Sequence, residues 1–358
     1  MRVSKPVLSL VSIVVLLMIL VIPFLIPSGA ITSVANRAYL DAAGDEDEDF
    51  MEEEDFIDNE DFVTEVKGFG RMAERRLVAV LASAGVSDVV PTQVVSPLPI
   101  DNSPGRTPVE ANFTTDGYQD DTIMVEMEQR RMYDSDVFIA HVKIADASQL
   151  RTAYAGPKID SNRTNYSSRL AQNYNAIVAM NGDYYPKTKA GYIVRQKEVY
   201  REKTSNNLDL LLVDELGDFH IILRGHEGQA EGVKAFKQEH EIINGFFFGP
   251  ALVMDGEMLE IPPKYEFAPH TLNPRAAIGQ TGPLSYMMVA VNGRTGGTKG
   301  VTMAVMASIM HELGCLQAYN LDGGNSATLV FRNEIYNDKP QAERSVTDII
   351  YFASAGTN

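Results

Sequence analysis

An apolar run that ends in an acid and two glycines is the feature that most limits how this chain can fold. It covers residues 318–326 and reads Ala-Tyr-Asn-Leu-Asp-Gly-Gly-Asn-Ser. Only glycine bends the backbone freely at such a point, and it leaves space for a ligand beside the main chain. The pattern therefore predicts a strand that stops at Asp322, with the carboxylate at the strand end, where catalytic groups are often placed. A plain turn would use the same residue types.

A helix with one apolar face is predicted just before this strand. Val301, Val305, Ile309 and Leu313 recur every four residues, and Gly314 follows as a C-cap. Short runs rich in apolar or β-branched residues predict further strands. They cover residues 122–127, 137–144, 176–180, 210–213, 219–223, 276–279, 286–291, 316–321, 328–331 and 348–352. Because the runs are short and joined by turn residues, we expect an α+β fold with mixed β-sheets and few helices.

The amino-terminal third of the chain has a different character. Arg2 and Lys5 precede an apolar stretch over residues 7–26, which is long enough to span a bilayer as a helix. Positive charge before the stretch and acid after it predict a transmembrane anchor with the amino end inside and the rest outside. A cleaved signal peptide is the alternative, since residues 28–30 are small enough for cleavage.

Charge and proline dominate the segment that follows the apolar stretch. Residues 45–61 hold 12 acids. Without these acids the net charge of the chain would be −5 instead of −17. Such a segment cannot form a core, and the five prolines in 91–108 are typical of an extended linker. We therefore expect a tip and anchor over 1–36, a disordered acidic and proline-rich tether over 37–115, with room for a short helix, and a single domain over 116–358. The overall acidity argues against nucleic acid as a partner.

Few residues suggest a metal site or a nucleophile. Cys315 is the only cysteine, so an intrachain disulfide is excluded, and its apolar surroundings indicate a buried thiol. The six histidines are scattered along the sequence, and none pairs with another histidine and a carboxylate at zinc-site spacing. The Gly-x-Ser-x-Gly motif of serine hydrolases is missing. No cofactor is predicted, although the sequence does not exclude a divalent cation.

Three further motifs precede the Asp-Gly-Gly run. Asn181–Tyr185 ends an apolar run, Asn273–Gly279 places Arg275 at a strand entrance, and Val291–Arg294 leads into a glycine-rich loop before the helix. The planar fork of arginine binds phosphate or carboxylate through two hydrogen bonds, and the first N–H groups of a helix favour an anion. A capped turn, a solvated strand end and a flexible loop are the respective alternatives.

In this order, and together with the Asp-Gly-Gly run, these motifs resemble the phosphodiester glycosidase family over roughly residues 120–356. The resemblance implies hydrolysis of the bond between the anomeric carbon of a sugar and a phosphate that also esterifies a second group. Such chemistry needs carboxylates beside the anomeric carbon, and positive charge where the phosphate leaves. The candidate catalytic residues are Asp183 and Asp322. The candidate substrate- or phosphate-binding residues are Asn181, Gly182, Asn244, Arg275, Arg294, Thr302, Asn320, Gly323, Gly324, Asn325 and Ser326.

These observations lead to three hypotheses about function. We expect an enzyme anchored in the cell membrane through residues 7–26, with an extracellular catalytic domain that acts on a surface or exported glycan. The second hypothesis is a non-catalytic module that binds phosphate-containing envelope polysaccharide, which needs the arginines and glycines but not both aspartates. The third is a structural envelope protein whose acidic tether matters more than its domain. The presence of both Asp183 and Asp322 favours the enzyme.

Overall fold

Twenty strands and three α-helices form the part of the chain that the computed structural model describes, residues 95–337, 339 and 342–357. The α+β expectation, with many strands and few helices, is confirmed. Every pairing between the described strands is antiparallel. The expectation of mixed sheets is therefore wrong: seven of the sixteen pairings are hairpins of consecutive strands, and the other nine are antiparallel as well.

The largest sheet has eight strands and carries the longest hairpins. In spatial order these are β13 (Glu257–Met258), β12 (Ala251–Met254), β16 (Gln317–Asn320), β14 (Arg275–Gly282), β15 (Ser285–Val291), β4 (Ser135–Ile144), β3 (Ile123–Met132) and β2 (Gly117–Gln119). Nearly every residue of β14, β15 and β4 is buried, because both faces of the sheet are covered. The predicted helix, α3 (Met303–Glu312), lies on one face.

Two five-stranded sheets lie on the other side of the core. The first contains β10 (Phe219–Ile222), β9 (Leu210–Val213), β11 (Asn244–Phe246), β7 (Gly191–Arg195) and β8 (Glu198–Lys203), with α2 (His226–Glu239) packed against it. The second contains β18 (Glu334–Ile335), β17 (Leu329–Phe331), β6 (Val178–Asn181), β19 (Asp348–Phe352) and β5 (Leu150–Tyr154), with α1 (Ser167–Asn173) packed against it. A two-stranded sheet pairs β1 (Val95–Ser96) with β20 (Gly356–Thr357).

The main core joins all three large sheets. Its fully or nearly fully buried side chains include Ile278 and Met288 from the eight-stranded sheet, Leu211 from the first smaller sheet, and Ile350 from the second. Each strand alternates its side chains between the two faces of its sheet. The continuous apolar runs in the sequence therefore contribute side chains both to this core and to the face covered by α3.

Residues 97–108 pack against the domain instead of forming a free linker. The buried guanidinium of Arg151 donates hydrogen bonds to the carbonyl oxygens of Pro99 at 2.8 Å, and of Asp101 and Ser103 at 3.0 Å each. The predicted boundary between tether and domain at residue 115 is wrong for this segment. The prolines keep the segment extended. Its carbonyl groups accept hydrogen bonds from Arg151, which is distant in the sequence, so the local sequence does not show this contact.

No helix among the described residues is long and apolar enough to cross a membrane. The predicted anchor over residues 7–26 and the acidic stretch over residues 45–61 lie outside the described part of the chain.

A buried ion cluster ties the two smaller sheets together. Arg195, at the end of β7, donates from Nη2 to Asp183 Oδ1 at 2.6 Å and from Nε to Asp348 Oδ2 at 2.7 Å. All three side chains are essentially inaccessible to solvent. The guanidinium also lies over the rings of Phe246 and Tyr185, with 4.3 and 5.3 Å from its carbon to the ring centroids. Burial raises the pKa of Asp348, Arg195 opposes that shift, and the nearby charge of Asp183 adds to it.

We expect Arg195→Met to destabilise the fold by about 3–5 kcal/mol, because it leaves two buried carboxylates without their counter-charge. The matched control is Arg130→Met, which breaks an exposed ion pair with Glu128 and should change stability by less than about 0.5 kcal/mol. Urea unfolding of the two variants and the wild type measures both effects. Equal losses in the two variants would show that the buried cluster contributes no more than a surface pair.

Candidate active site

A cleft of about 410 Å³ opens where β16 ends and β14 begins. Three arginines, one aspartate and a pair of aromatic rings supply most of its lining. The lining residues are Phe248, Phe267, Ala268, Asn273, Arg275, Arg294, Asp322, Gly323, Gly324, Asn325 and Arg344. The predicted Asp-Gly-Gly run is therefore one wall of the cleft.

The backbone around Asp322 is held from two directions. Its N–H donates to the carbonyl oxygen of Gly182 at 3.2 Å, and the side-chain amide of Asn181 donates to the Asp322 carbonyl at 2.7 Å. Glycine is required next, because a β-carbon on Gly323 would lie 2.8 Å from the carbonyl oxygen of Pro274. The chain thus passes close to the start of β14 and presents the Asp322 carboxylate to the cleft.

The pKa of the Asp322 carboxyl group is raised towards neutral pH. Burial raises its pKa to about 6, and the charge of Asp183 adds to the shift. The Ser326 side chain, which hydrogen-bonds this carboxyl, and the positive charge of Arg344 both oppose it. A carboxyl with a pKa close to the working pH exchanges protons readily, which is the property that acid–base catalysis requires.

Arg275 is fixed so that part of its guanidinium stays available. Nε donates to the Val301 carbonyl at 3.1 Å, and Nη2 donates to the carbonyls of Ala268 at 2.9 Å and Thr271 at 2.8 Å. Nη1 has no hydrogen-bond partner among the described residues. Burial lowers the pKa of Arg275 to about 10, and the neighbouring charge of Arg294 contributes, yet the group remains charged at neutral pH.

The other two arginines are oriented by neutral groups. Arg294 donates from Nη1 to Asn325 Oδ1 and from Nη2 to Asn273 Oδ1, both at 2.8 Å. Arg344 lies over the ring of Tyr184, with 5.3 Å from its guanidinium carbon to the centroid. Within the described structure none of the three cleft arginines has an acid within 4.0 Å. Their charges therefore make the cleft attractive to an anion.

The aromatic side of the cleft is flat. Phe248 and Phe267 stack with 3.9 Å between ring centroids and 9° between ring planes. Ligand sites commonly combine such an apolar surface with a few fixed polar groups. The cleft can therefore hold a ligand that has both an anionic group and an apolar face.

The structure brings six of the predicted site residues to the cleft: Arg275, Arg294, Asp322, Gly323, Gly324 and Asn325. The other seven do not line it: Asn181, Gly182, Asp183, Asn244, Thr302, Asn320 and Ser326. Most of these seven support the backbone of the cleft from behind.

The expectation that Asp183 faces the cleft is wrong. Its side chain is fully buried, with Oδ1 on Arg195 and Oδ2 accepting the backbone N–H of Phe247 at 2.7 Å. Gly182 must be glycine because a β-carbon there would lie 2.4 Å from the Asp348 carboxylate. Asp183 therefore lies behind Gly182, whose carbonyl oxygen accepts the backbone N–H of Asp322.

The predicted polar ligands Asn244, Asn320 and Ser326 do not line the cleft either. Asn244 accepts the backbone N–H of Gln196 at 2.9 Å, and Asn320 donates to the Gly249 carbonyl at 2.7 Å. Ser326 is buried and hydrogen-bonds the cleft carboxylate. These side chains satisfy buried backbone and carboxylate groups, which explains polar residues at apolar strand ends.

The start of α3 does not present free N–H groups to the cleft. Thr302 caps the helix by accepting the Val305 N–H at 3.3 Å, and Met303 donates its N–H to the Pro269 carbonyl at 2.8 Å. The expectation of an anion at this helix terminus stays a prediction, and the protein itself already satisfies these two donors.

Sequence reasoning missed Arg344, Arg195 and a histidine cluster. Nothing near Arg344 in the sequence distinguishes it from a surface arginine, and it lines the cleft four residues before β19, which pairs with β6. The histidines judged to be scattered include two that converge. His220 Nε2 lies 2.9 Å and His240 Nδ1 lies 3.3 Å from Asp214 Oδ2.

Comparisons with known proteins support the family resemblance. The model of the phosphodiester glycosidase family matches residues 174–353, which is about half of the chain. The SPbeta prophage-derived uncharacterized protein YomE of Bacillus subtilis (strain 168) is 33% identical over 108 residues, covering 30% of this chain and 17% of that protein. The chain thus matches about a sixth of the length of this curated relative.

Two solved structures are similar to parts of this chain. The zebrafish N-acetylglucosamine-1-phosphodiester alpha-N-acetylglucosaminidase catalytic domain, auto-inhibited by its pro-peptide, superposes with a TM-score of 0.51 at 17% identity, covering 65% of this chain and 83% of that chain. A hypothetical protein from Synechocystis gives a TM-score of 0.45 at 16% identity, covering 64% of this chain and 62% of that chain. At 17% identity the first likeness concerns the fold alone.

The raised pKa of Asp322 predicts that Asp322→Asn stabilises the fold at neutral pH. Below about pH 4 the carboxyl is protonated in both the folded and the unfolded state, so the two proteins should be equally stable. Above about pH 6 the folded protein must hold a charge in a poorly solvated place, and stability is lost. The full shift is worth at most about 3 kcal/mol, and solvent in the open cleft reduces this to about 1–2 kcal/mol.

Urea unfolding at pH 4 and pH 7.5 measures this difference. Asp121→Asn, at an exposed position, is the control and should change stability little at either pH. A stabilisation by Asp322→Asn that is equal at both pH values would contradict the expected protonation behaviour.

Proposed function

Because the chain belongs to the phosphodiester glycosidase family, we propose that its cleft hydrolyses a sugar-1-phosphodiester in a cell-surface or exported glycan. The observation that carries the proposal is the combination of one carboxyl of pKa about 6 with three arginines that have no acid within 4.0 Å in the described structure. A carboxylate beside the anomeric carbon and positive charge for the phosphate are the two requirements of this reaction.

The arginines stabilise the phosphate as it leaves. Arg275 is held by backbone carbonyls and Arg294 by two side-chain amides, so both guanidinium groups are oriented before substrate binds. Donors fixed in advance need little reorganisation when charge develops, which is the usual source of electrostatic catalysis. A departing phosphate that is already anionic then needs little protonation.

Asp322 acts as the base at the anomeric carbon. It accepts a proton from water while the water oxygen bonds to the anomeric carbon, and the electron pair of the broken carbon–oxygen bond leaves with the phosphate. Arg344 keeps the pKa of Asp322 low enough for the carboxylate to be ionised at neutral pH. Asp183 acts through position, since its ion pair with Arg195 fixes the chain next to the Gly182 carbonyl that holds Asp322.

The sugar ring lies against the stacked rings of Phe248 and Phe267 in this proposal. Phe248 is buried and Phe267 is exposed, so the pair offers its apolar surface mainly through the Phe267 ring, within the same cleft as the arginines. We further propose that residues 7–26 anchor the protein in the cell membrane with the domain outside. Support comes from the length of that apolar stretch and the acids that follow it, and digestion of intact cells with added protease tests it.

A binding module for phosphate-containing polysaccharide is the alternative that the same cleft supports. Three arginines beside an aromatic pair would bind an anionic glycan whether or not it is cleaved. A raised carboxyl pKa is useful for turnover but costs stability in a protein that only binds, and this favours the enzyme.

Arg294→Gln should lower kcat/KM on a sugar-1-phosphodiester by about ten- to more than a hundredfold, since a charge-assisted hydrogen bond is worth about 1.5–3 kcal/mol. The same variant should change little on an aryl glycoside of the same sugar, which carries no phosphate. The exposed Arg332→Gln, which removes an arginine outside the cleft, is the control and should match the wild type on both substrates. Equal losses on both substrates would place the phosphate contact elsewhere.

Asp322→Asn should retain substrate binding and lose at least about a hundredfold in kcat. For the wild type we expect kcat/KM to rise with pH through about pH 6, as the Asp322 carboxyl ionises. Arg344→Gln should move this rise to higher pH, because it removes a positive charge that lowers the pKa of Asp322. Tight binding of a diester without any release of sugar by the wild type would favour the binding module instead.

A further inference from the structure

Asp214, His220 and His240 meet outside the cleft, at the join between the β9–β10 hairpin and the end of α2. We propose that these three side chains bind one transition-metal ion of the zinc class. Their ligand atoms all lie within 4.8 Å of one another. None of the three lines the cleft, so the site is separate from the chemistry proposed above.

The spacing of the ligand atoms suits a tetrahedral ion. Zinc bonds of about 2.0–2.1 Å place neighbouring ligand atoms about 3.3 Å apart. His220 Nε2 lies 2.9 Å from Asp214 Oδ2, and His240 Nδ1 lies 3.3 Å from the same oxygen. Small side-chain movements would let both nitrogens and one carboxylate oxygen coordinate the same ion.

The kinds of donor atom also select the ion. Two imidazole nitrogens and a carboxylate oxygen suit zinc, copper or nickel, whereas calcium and magnesium require more oxygen ligands. Glu215 Oε1 lies 3.4 Å from His240 Nδ1, so a second carboxylate borders the site. With neutral histidines, the charges of Asp214 and Glu215 would balance a divalent ion.

The surroundings hold the ligands in place. Asp214 Oδ1 accepts the backbone N–H groups of Leu216 at 2.9 Å and Asp218 at 2.8 Å, which leaves Oδ2 facing the histidines. The ring of Phe236 lies 5.0 Å from that of His220 and 5.4 Å from that of His240. Outer contacts of this kind orient metal ligands in proteins.

Solvent reaches the two histidines but not the aspartate. The side chains of His220 and His240 are 31% and 19% exposed, whereas Asp214 is inaccessible. An ion could therefore enter from the surface and be held against a fixed carboxylate. Bound there, it would join the end of α2 to the β9–β10 hairpin, just before the chain enters β11, and stabilise that part of the fold.

Zinc binding to the full chain, prepared without a histidine tag and stripped with a chelator, tests this proposal. Titration calorimetry is carried out in excess Ca²⁺, which occupies oxygen-only sites such as the acidic stretch at 45–61. We expect one equivalent of Zn²⁺ to bind, and Co²⁺ to give the visible absorption of tetrahedral coordination with nitrogen ligands. Zn²⁺ should also raise the melting temperature.

Variants of single histidines decide whether this is the site. His240→Gln and His220→Gln should each weaken Zn²⁺ binding at least tenfold and abolish the rise in melting temperature. His141→Gln is the matched control, since His141 pairs with Glu128 in a surface contact of the same kind, at 3.2 Å, and should bind as the wild type does.

Because His240 lies at a helix end and is partly exposed, its variant should keep the fold, which circular dichroism checks. The proposal is overturned if the wild type binds no stoichiometric Zn²⁺, or if a folded His240→Gln binds it as tightly as the wild type.

Discussion

One guanidinium group, that of Arg195, neutralises two buried carboxylates that come from different strands. Asp183 follows β6, Asp348 begins β19, and Arg195 ends β7, so the cluster links two sheets that share no strand. A buried arginine of this kind contributes little net stability relative to an apolar core, but it strongly penalises any arrangement that separates its partners. The position of the Asn181–Asp183 turn, and with it one side of the cleft, depends on this interaction.

The two aspartates of the predicted catalytic pair differ in role because their surroundings differ. Asp183 receives an arginine and a backbone N–H and is sealed from solvent. Asp322 faces the cleft, where burial outweighs the nearby Arg344 and the Ser326 hydrogen bond, and its pKa is raised to about 6. A carboxylate that is fully satisfied by the protein cannot readily exchange a proton with substrate. A carboxylate that is only partly satisfied by the protein can exchange a proton with substrate. Because its charge is poorly stabilised, the same carboxylate lowers the stability of the fold at neutral pH.

Local patterns in the sequence predicted the elements that local physics determines. The apolar stripe of α3, the strand before Asp322 and the glycines after it follow from periodicity and from steric limits at single residues. The burial of Asp183 could not be predicted, because it depends on Arg195 and Asp348, which are distant in the sequence. The meeting of His220 and His240 depends likewise on α2 returning to the β9–β10 hairpin. The contact of Arg151 with residues 99–103 is a third case, in which a proline-rich segment looks like a linker until a distant side chain binds its carbonyls.

The net charge of the chain does not decide what the cleft attracts. The chain carries −17, but 12 of its acids are concentrated in residues 45–61, and the cleft itself presents three arginines to one aspartate. Fields from solvent-exposed charges are screened over about 8–10 Å at physiological salt, whereas groups inside a cleft with low-dielectric walls are screened much less from a bound ligand. An acidic protein can therefore bind an anionic phosphodiester, because the charges that decide binding are those held within a few ångströms of the ligand. In the proposed reaction, the orientation of these arginines by Asn273, Asn325 and the carbonyls around Arg275, rather than their number, would hold the phosphate in one position.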